Sequence, residues 1–250
     1  NLAIWSLGLV ICVSLIILGF TVLSSFKVGS VWDDAFMLAR CSYNILADGR
    51  IAWNPNGEPT YGLTPPAYLA LVFPLFMWIT KNPALLVSVS TLISGILFFC
   101  LFARLLWREM RGTGVIGLGY LALLAFLMAG AAVAWGVHFT NGMDTAFSMA
   151  ALTFYLLLFL RWERNRNDAA ALLVGIFGGF LFFIRPDLLL FAVIIPFAFL
   201  IWGEKALFRQ TLGILGTTVV VVFMEMGFSA WYFHSPLPLP FYAKALNLYG

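Results

Sequence analysis

Ala169 to Trp202 reads AAALLVGIFGGFLFFI, then RPD, then LLLFAVIIPFAFLIW: two apolar runs parted only by Arg185-Pro186-Asp187. Each run holds about 15 residues or more, and Pro186 breaks the helix between them. Comparable runs of roughly 15–25 residues recur along the chain, separated by short polar clusters. Hydrophobic residues make up 62% of the 250 residues and charged residues only 10%. The mean hydropathy is +0.98. Such a chain has no polar shell for a soluble core of this size, so it reads as an all-α polytopic membrane protein. The net charge of +3 lies mostly in short loops and marks topology, which argues against a nucleic-acid surface.

The expected spans are Leu2–Phe26, Pro83–Phe102, Gly114–Trp135, Thr145–Leu160, Ala169–Ile184, Leu188–Trp202 and Thr211–Trp231. Leu2–Phe26 is too long for a signal-peptide core and lacks a small-residue cleavage site, so it reads as a retained helix. The run Pro66–Ile79 is ambiguous: as a helix it reaches about 21 Å against roughly 30 Å of hydrocarbon. Charge favours leaving it uncrossed. Arg104, Arg108, Arg111, Arg161, Arg164, Arg166, Lys205 and Arg209 then share one side. The acidic loop 27–82, Asp144, Arg185-Pro186-Asp187 and Lys244 share the other. The positive-inside rule makes the first side cytoplasmic, giving about seven crossings with Pro66–Ile79 re-entrant or interfacial on the outer face. The chain reads as one membrane module over 1–250, a piece of a longer protein whose carboxy-terminal part is absent.

The outer loop carries the densest pattern. Asp33-Asp34 precede a helix running to Ala47, with Asp48-Gly49 as its stop. Phe36, Ala39, Tyr43 and Leu46 give that helix an apolar face suited to the interface. A turn-rich segment, Trp53 to Pro59, follows, and Tyr61 to Pro66 leads into the short apolar run.

Asp33 and Asp34 read two ways. One carboxylate can take a proton from an attacking hydroxyl while its neighbour orients an acceptor or helps to hold a divalent ion. Alternatively the pair caps the helix and meets its dipole. Arg185 can bind a phosphate or pair locally with Asp187. Asp144 and His138 flank an outer turn at Thr140–Met143, where Asp144 also suits a helix cap. Lys244, beside Phe241 and Tyr242, suits an anionic headgroup or an aromatic belt. Glu225 lies within the last span, and an intramembrane acid is a functional candidate.

Cys12, Cys41 and Cys100 show no metal or redox spacing, and with only His138 and His234 a histidine zinc site is not expected. No Walker loop, dinucleotide fingerprint, HExxH or GxSxG motif is present, so a substrate would arrive through the lipid.

The chain resembles the bacterial GT-C superfamily of glycosyltransferases, and within it the group containing the terminal arabinofuranosyltransferases. The matching pieces are Asp33-Asp34-Ala35-Phe36 with Arg40 and Asn44, Asp48-Gly49, Trp53 to Pro59 and Gly62 to Pro66. Gly142 to Thr145, Arg185-Pro186-Asp187 and Tyr242-Ala243-Lys244 continue the match. The resemblance implies a seven-helix module and an inverting transfer of a sugar from a polyprenyl-phosphate donor to a hydroxyl of a glycan, lipid or protein. Asp33 or Asp34 would be the base, with Asp33 favoured. Arg185, Lys244 and Arg40 would meet the donor phosphate, and Tyr242, Asp144, His138 and Glu58 would contact substrate. Where that group has glutamate, this chain has Tyr61; Pro65 replaces a serine, and Leu239-Pro240 an Asn-Thr pair. The reading from the residues alone keeps two rivals: a transporter or lipid flippase, and a non-catalytic membrane scaffold.

Overall fold

The computed structural model describes residues 33–110 and 143–246. The spans expected at Leu2–Phe26 and Gly114–Trp135, together with His138, lie outside them. The described residues contain helices and no strand. In chain order these are a 3-10 turn at Asp33–Ala35, α1 (Phe36–Asp48), a 3-10 turn at Pro66–Tyr68, α2 (Leu69–Trp78) and α3 (Pro83–Met110). Then follow α4 (Thr145–Asn165), α5 (Asp168–Ile184), α6 (Leu189–Trp202), α7 (Phe208–Phe233) and α8 (Leu239–Ala245). Three stretches, Pro83–Leu105, Thr145–Asn165 and Lys205–Phe233, are long and apolar enough to cross a membrane. Asp168–Ile184, Pro186–Trp202 and Pro66–Trp78 are apolar but shorter. The last forms the helix expected there, at about 20 Å.

The chain divides into two compact units, Asn1–Phe36 with Asn82–Ala150, and Met37–Lys81 with Ala151–Gly250. In the first, Phe98 of α3 packs in one buried cluster with Ala146 and Ala150. A hydroxyl stripe runs along α3 on fully buried Ser88, Ser90, Thr91 and Ser94. Ser90, Thr91 and Ser94 donate to carbonyls one turn back, which removes the cost of burying them. Ser88 Oγ has no hydrogen-bond partner among the described residues.

The second unit is organised around α5 against α7. Gly175 and Gly179 stand four residues apart on α5, in the small-residue spacing that lets apolar helices approach closely. A Cβ at Gly175 would fall 2.6 Å from Thr217 Cβ. One at Gly179 would fall 2.6 Å from Val221 Cγ1 and 2.9 Å from the Thr218 carbonyl oxygen. The approach allows Thr218 Oγ1 to donate to the Gly175 carbonyl at 3.2 Å across the interface. α6 packs on both helices and also meets α4, where Tyr155 donates to the Ala192 carbonyl at 3.4 Å. Phe199 meets Phe159 and Trp162 edge-on at 5.6 and 5.5 Å. Outward from these contacts α6 and α7 present Leu190, Ile194, Phe197, Val220, Phe223 and Met224, all exposed. An apolar surface of that kind suits a lipid bilayer.

The α4–α5 and α6–α7 turns meet at one end of this unit. Arg166 leaves α4 in the left-handed conformation (φ 53°), and its amide donates to the Trp162 carbonyl at 2.7 Å. Asn167 then caps α5, accepting from Ala170 N at 2.7 Å. The Arg166 guanidinium grips both oxygens of Glu204, at 2.7 and 2.6 Å. Gln210 ties the rest: its Oε1 accepts from Trp162 Nε1 at 2.9 Å. Its Nε2 donates to the Arg166 carbonyl at 3.1 Å and to Asp168 Oδ1 at 2.9 Å. The basic loop around Arg161, Arg164 and Arg166 therefore shares an end with Lys205 and Arg209, as the charge pattern predicts.

Candidate functional site

Asp33 and Asp34 form a 3-10 turn at the head of α1. Asp34 is exposed, and among the described residues it has neither a hydrogen-bond partner nor an ion pair. A capping carboxylate would accept an amide from the first turn of the helix; Asp34 accepts none there. The Asp33 side chain lies outside the described set. Among the described residues no group of three or more His, Cys, Asp or Glu side chains is placed to hold a metal. A divalent ion at the pair would need ligands beyond that set.

From α1 the chain enters a loop whose shape is set by side chains at four-residue intervals on one helix face: Arg40, Asn44 and Asp48. Arg40 Nε donates to the Trp53 carbonyl at 2.7 Å, and the guanidinium carbon lies 4.7 Å from the Trp53 ring centre. Asn44, fully buried, donates to the Ala52 and Trp53 carbonyls at 2.8 and 3.3 Å, while its Oδ1 has no partner among the described residues. Asp48 Oδ2 accepts from Asn56 N at 2.8 Å. Gly49 ends α1 with φ +68°, the left-handed stop that Asp48-Gly49 predicts. The loop closes where Thr60 N donates to the Ile51 carbonyl at 2.9 Å.

Arg40, expected as a phosphate ligand, is thus first a loop-holding residue. Its two terminal nitrogens make no hydrogen bond among the described residues. Cys41 is buried beside it; burial pushes the thiol up to about 11, with Arg40 pulling weakly the other way. Phe36, Tyr43 and Leu46 are exposed, as an interfacial face requires, while Ala39 turns inward.

The loop is also fixed to α7. Tyr232 Oη accepts from Ile51 N at 3.1 Å, and the Tyr61 ring stacks on Phe233 at 4.8 Å. The Tyr61 carbonyl accepts from Leu239 N at 2.8 Å, joining the start of α8 to the same place. The Tyr61 hydroxyl is pushed up to about 12, chiefly by burial, with a hydrogen bond from Ser229 opposing and the charge of Glu225 adding. Ser229 and Glu225 lie one turn apart on α7, and Glu225 Oε2 is buried without a hydrogen-bond partner among the described residues. Ser229 carries no motif signal; in the sequence this cluster shows only through Glu225 inside the span and through Tyr61 standing where the resembled group has glutamate.

Arg185 Nε pairs with Asp187 Oδ1 at 2.9 Å, the local arrangement that the Arg-Pro-Asp spacing allows. Glu58 is exposed on the loop, where its carbonyl accepts from Thr60 Oγ1 at 3.0 Å. Tyr242 is half-buried on α8, and the Lys244 side chain lies outside the described set. Asp144 is buried at the head of α4, where its Oδ2 accepts from Ser148 Oγ at 3.3 Å. The loop thus gathers Arg40, Asn44, Glu58, Tyr61 and the start of α8 within one unit. Asp33, Asp34 and Asp144 belong to the other.

No family model, no curated protein and no solved structure matches the chain.

Proposed function

We propose that this protein is a membrane glycosyltransferase that moves a sugar from a polyprenyl-phosphate donor to a hydroxyl acceptor at the outer face of a bacterial inner membrane. About seven helices cross the bilayer in this reading, and Pro66–Trp78 lies along it. The observation that carries the reading is Asp34. It is an exposed carboxylate at the head of α1, uncommitted among the described residues, followed by a loop held by Arg40, Asn44 and Asp48. A base must be free to meet its substrate.

In the reaction one aspartate takes the proton of the acceptor hydroxyl. The oxygen attacks the anomeric carbon from the face opposite the phosphate. The bond from that carbon to the phosphate oxygen breaks, and the polyprenyl phosphate leaves with the electron pair. The terminal nitrogens of Arg40, with Arg185 and Lys244, supply cations for the departing phosphate. Glu58, Tyr242, Asp144 and His138 remain the candidates for substrate contact. Where the resembled group carries glutamate this chain has Tyr61, and Glu225 lies within electrostatic reach of its hydroxyl.

The test is transfer from a radiolabelled polyprenyl-phosphate sugar by full-length protein in vesicles, with Asp33→Asn and Asp34→Asn made separately. Loss of at least about a thousandfold is expected in one of them while the melting temperature stays put. Full transfer by both variants would end the mechanism.

Glu225 favours a second reading. A carboxyl inside a span with an unpartnered oxygen is the kind of group that transporters and flippases use. Lipid-analogue movement across vesicles without sugar transfer, abolished by Glu225→Gln, would select it.

A further inference from the structure

A cavity of about 450 Å³ opens where α6 passes into α7, at the end of α6 opposite Arg185-Pro186-Asp187. Its walls are Phe199, Leu200 and Phe208; its polar lining is Glu204 and Lys205, with Gly203 between the two sides. Gly203 keeps it in shape, since a Cβ there would fall 2.8 Å from Phe199 Cδ1. The charges around it are unequal. Both oxygens of Glu204 are occupied by Arg166, so that acid is already matched. Asp168 accepts a hydrogen bond from the neutral Gln210 amide and keeps its charge, but it is not among the cavity's lining residues. Lys205, which lines the cavity, and Arg209, one turn further on and outside the lining, are both exposed and have no acid partner among the described residues.

We infer that this cavity binds an anionic phospholipid, with its phosphodiester against Lys205 and Arg209 and an acyl chain along Phe199 and Phe208. Charge complementarity selects the headgroup. Two uncompensated cations attract a phosphate and repel the ammonium of a zwitterionic lipid. The first turn of a long helix adds its amide dipoles on the same side. The walls select a lipid over a soluble anion, because three apolar side chains offer nothing to a free phosphate. Ile201, which also lines the cavity, and neighbouring Trp202 are 57% and 81% exposed, so the opening suits the zone where hydrocarbon gives way to headgroups. Arg166 matters here by silencing Glu204, which would otherwise repel the ligand. This site is independent of the proposed sugar transfer, and its cations come from the other end of the second unit.

The experiment is native mass spectrometry of the full-length protein, released from mixed micelles holding phosphatidylglycerol and phosphatidylcholine with identical acyl chains. The expected result is a preference for phosphatidylglycerol of about thirtyfold, roughly fivefold for each cation. Lys205→Ala with Arg209→Ala should bring the ratio near one. Lys205→Gln, which keeps most of the stem, should lower it about fivefold and guards against misfolding of the double variant. Soluble glycerol phosphate should not displace the lipid. Equal retention of the two lipids by the wild type would overturn the assignment without any variant. So would an undiminished preference in either folded variant, or displacement by glycerol phosphate.

Discussion

Replacing Gly179 with alanine should destabilise the protein, whereas the same change at Gly216 should not. The new Cβ at Gly179 would lie 2.6 Å from Val221 Cγ1 and 2.9 Å from the Thr218 carbonyl oxygen, where ordinary contact begins at 3.4 Å. One of those neighbours is backbone, so no rotamer change relieves it. α5 and α7 must part by roughly half an ångström or more, which costs about 1–3 kcal/mol in a well-packed interior. Separation also lengthens the 3.2 Å bond from Thr218 Oγ1 to the Gly175 carbonyl, which is long already. Alanine returns about 0.8–1 kcal/mol of helix propensity, so the net loss is up to about 2 kcal/mol. At Gly216 a Cβ meets nothing within 4 Å, and only the propensity gain remains. The assay is thermal unfolding of the purified protein in one detergent, read by intrinsic fluorescence. Gly179→Ala should melt lower by a few degrees, up to about 8 °C, and Gly216→Ala at or slightly above the wild type. If Gly179→Ala melts with or above Gly216→Ala, the close approach of α5 and α7 is not what holds this unit together.

Gln210→Leu should cost about 1–3 kcal/mol, because it strands the buried Trp162 Nε1 and takes a donor from both the Arg166 carbonyl and Asp168; a wild-type melting curve would contradict that. Cys41 titrates near 11 when folded against an ordinary 9.0. Between about pH 9 and pH 11 the unfolded chain sheds the thiol proton first, so this contribution is intact below about pH 9 and fades as pH rises. Cys41→Ser should therefore flatten the alkaline fall of the melting temperature, and an unchanged slope would refute the assignment.

Much of the architecture is legible locally. Apolar runs, Asp48-Gly49 and Arg185-Pro186-Asp187 mark helices and their ends because each signal acts within a few residues. The shortness of Pro66–Trp78 is equally plain from length. Gln210 is different: it reaches Trp162, Arg166 and Asp168 across 42 to 48 positions, and no spacing rule announces it. The same holds for Arg166 with Glu204, separated by 38 positions. Arg166 reads as one more topology-marking cation until its partner is seen. In the loop, Arg40, Asn44 and Asp48 were visible as a set, but their direction was not. Spacing places them on one face of α1; only the fold turns that face toward Ala52, Trp53 and Asn56.

That turning changes what the candidate site asks of each residue. A cation whose Nε is spent on a carbonyl and whose plane lies over an indole has lost much of its freedom to swing. It can still meet an anion with its outer nitrogens, and it does so from a fixed place, which favours a positioned phosphate over a roaming one. Arg185 is held differently, by an acid two residues away, so its charge is partly answered before any substrate arrives. Under the proposed function, Arg40 would be the better preorganised phosphate ligand of the two. Under the same proposal Trp53 would serve as the surface that aims it, since removing the ring would leave the guanidinium charged but undirected.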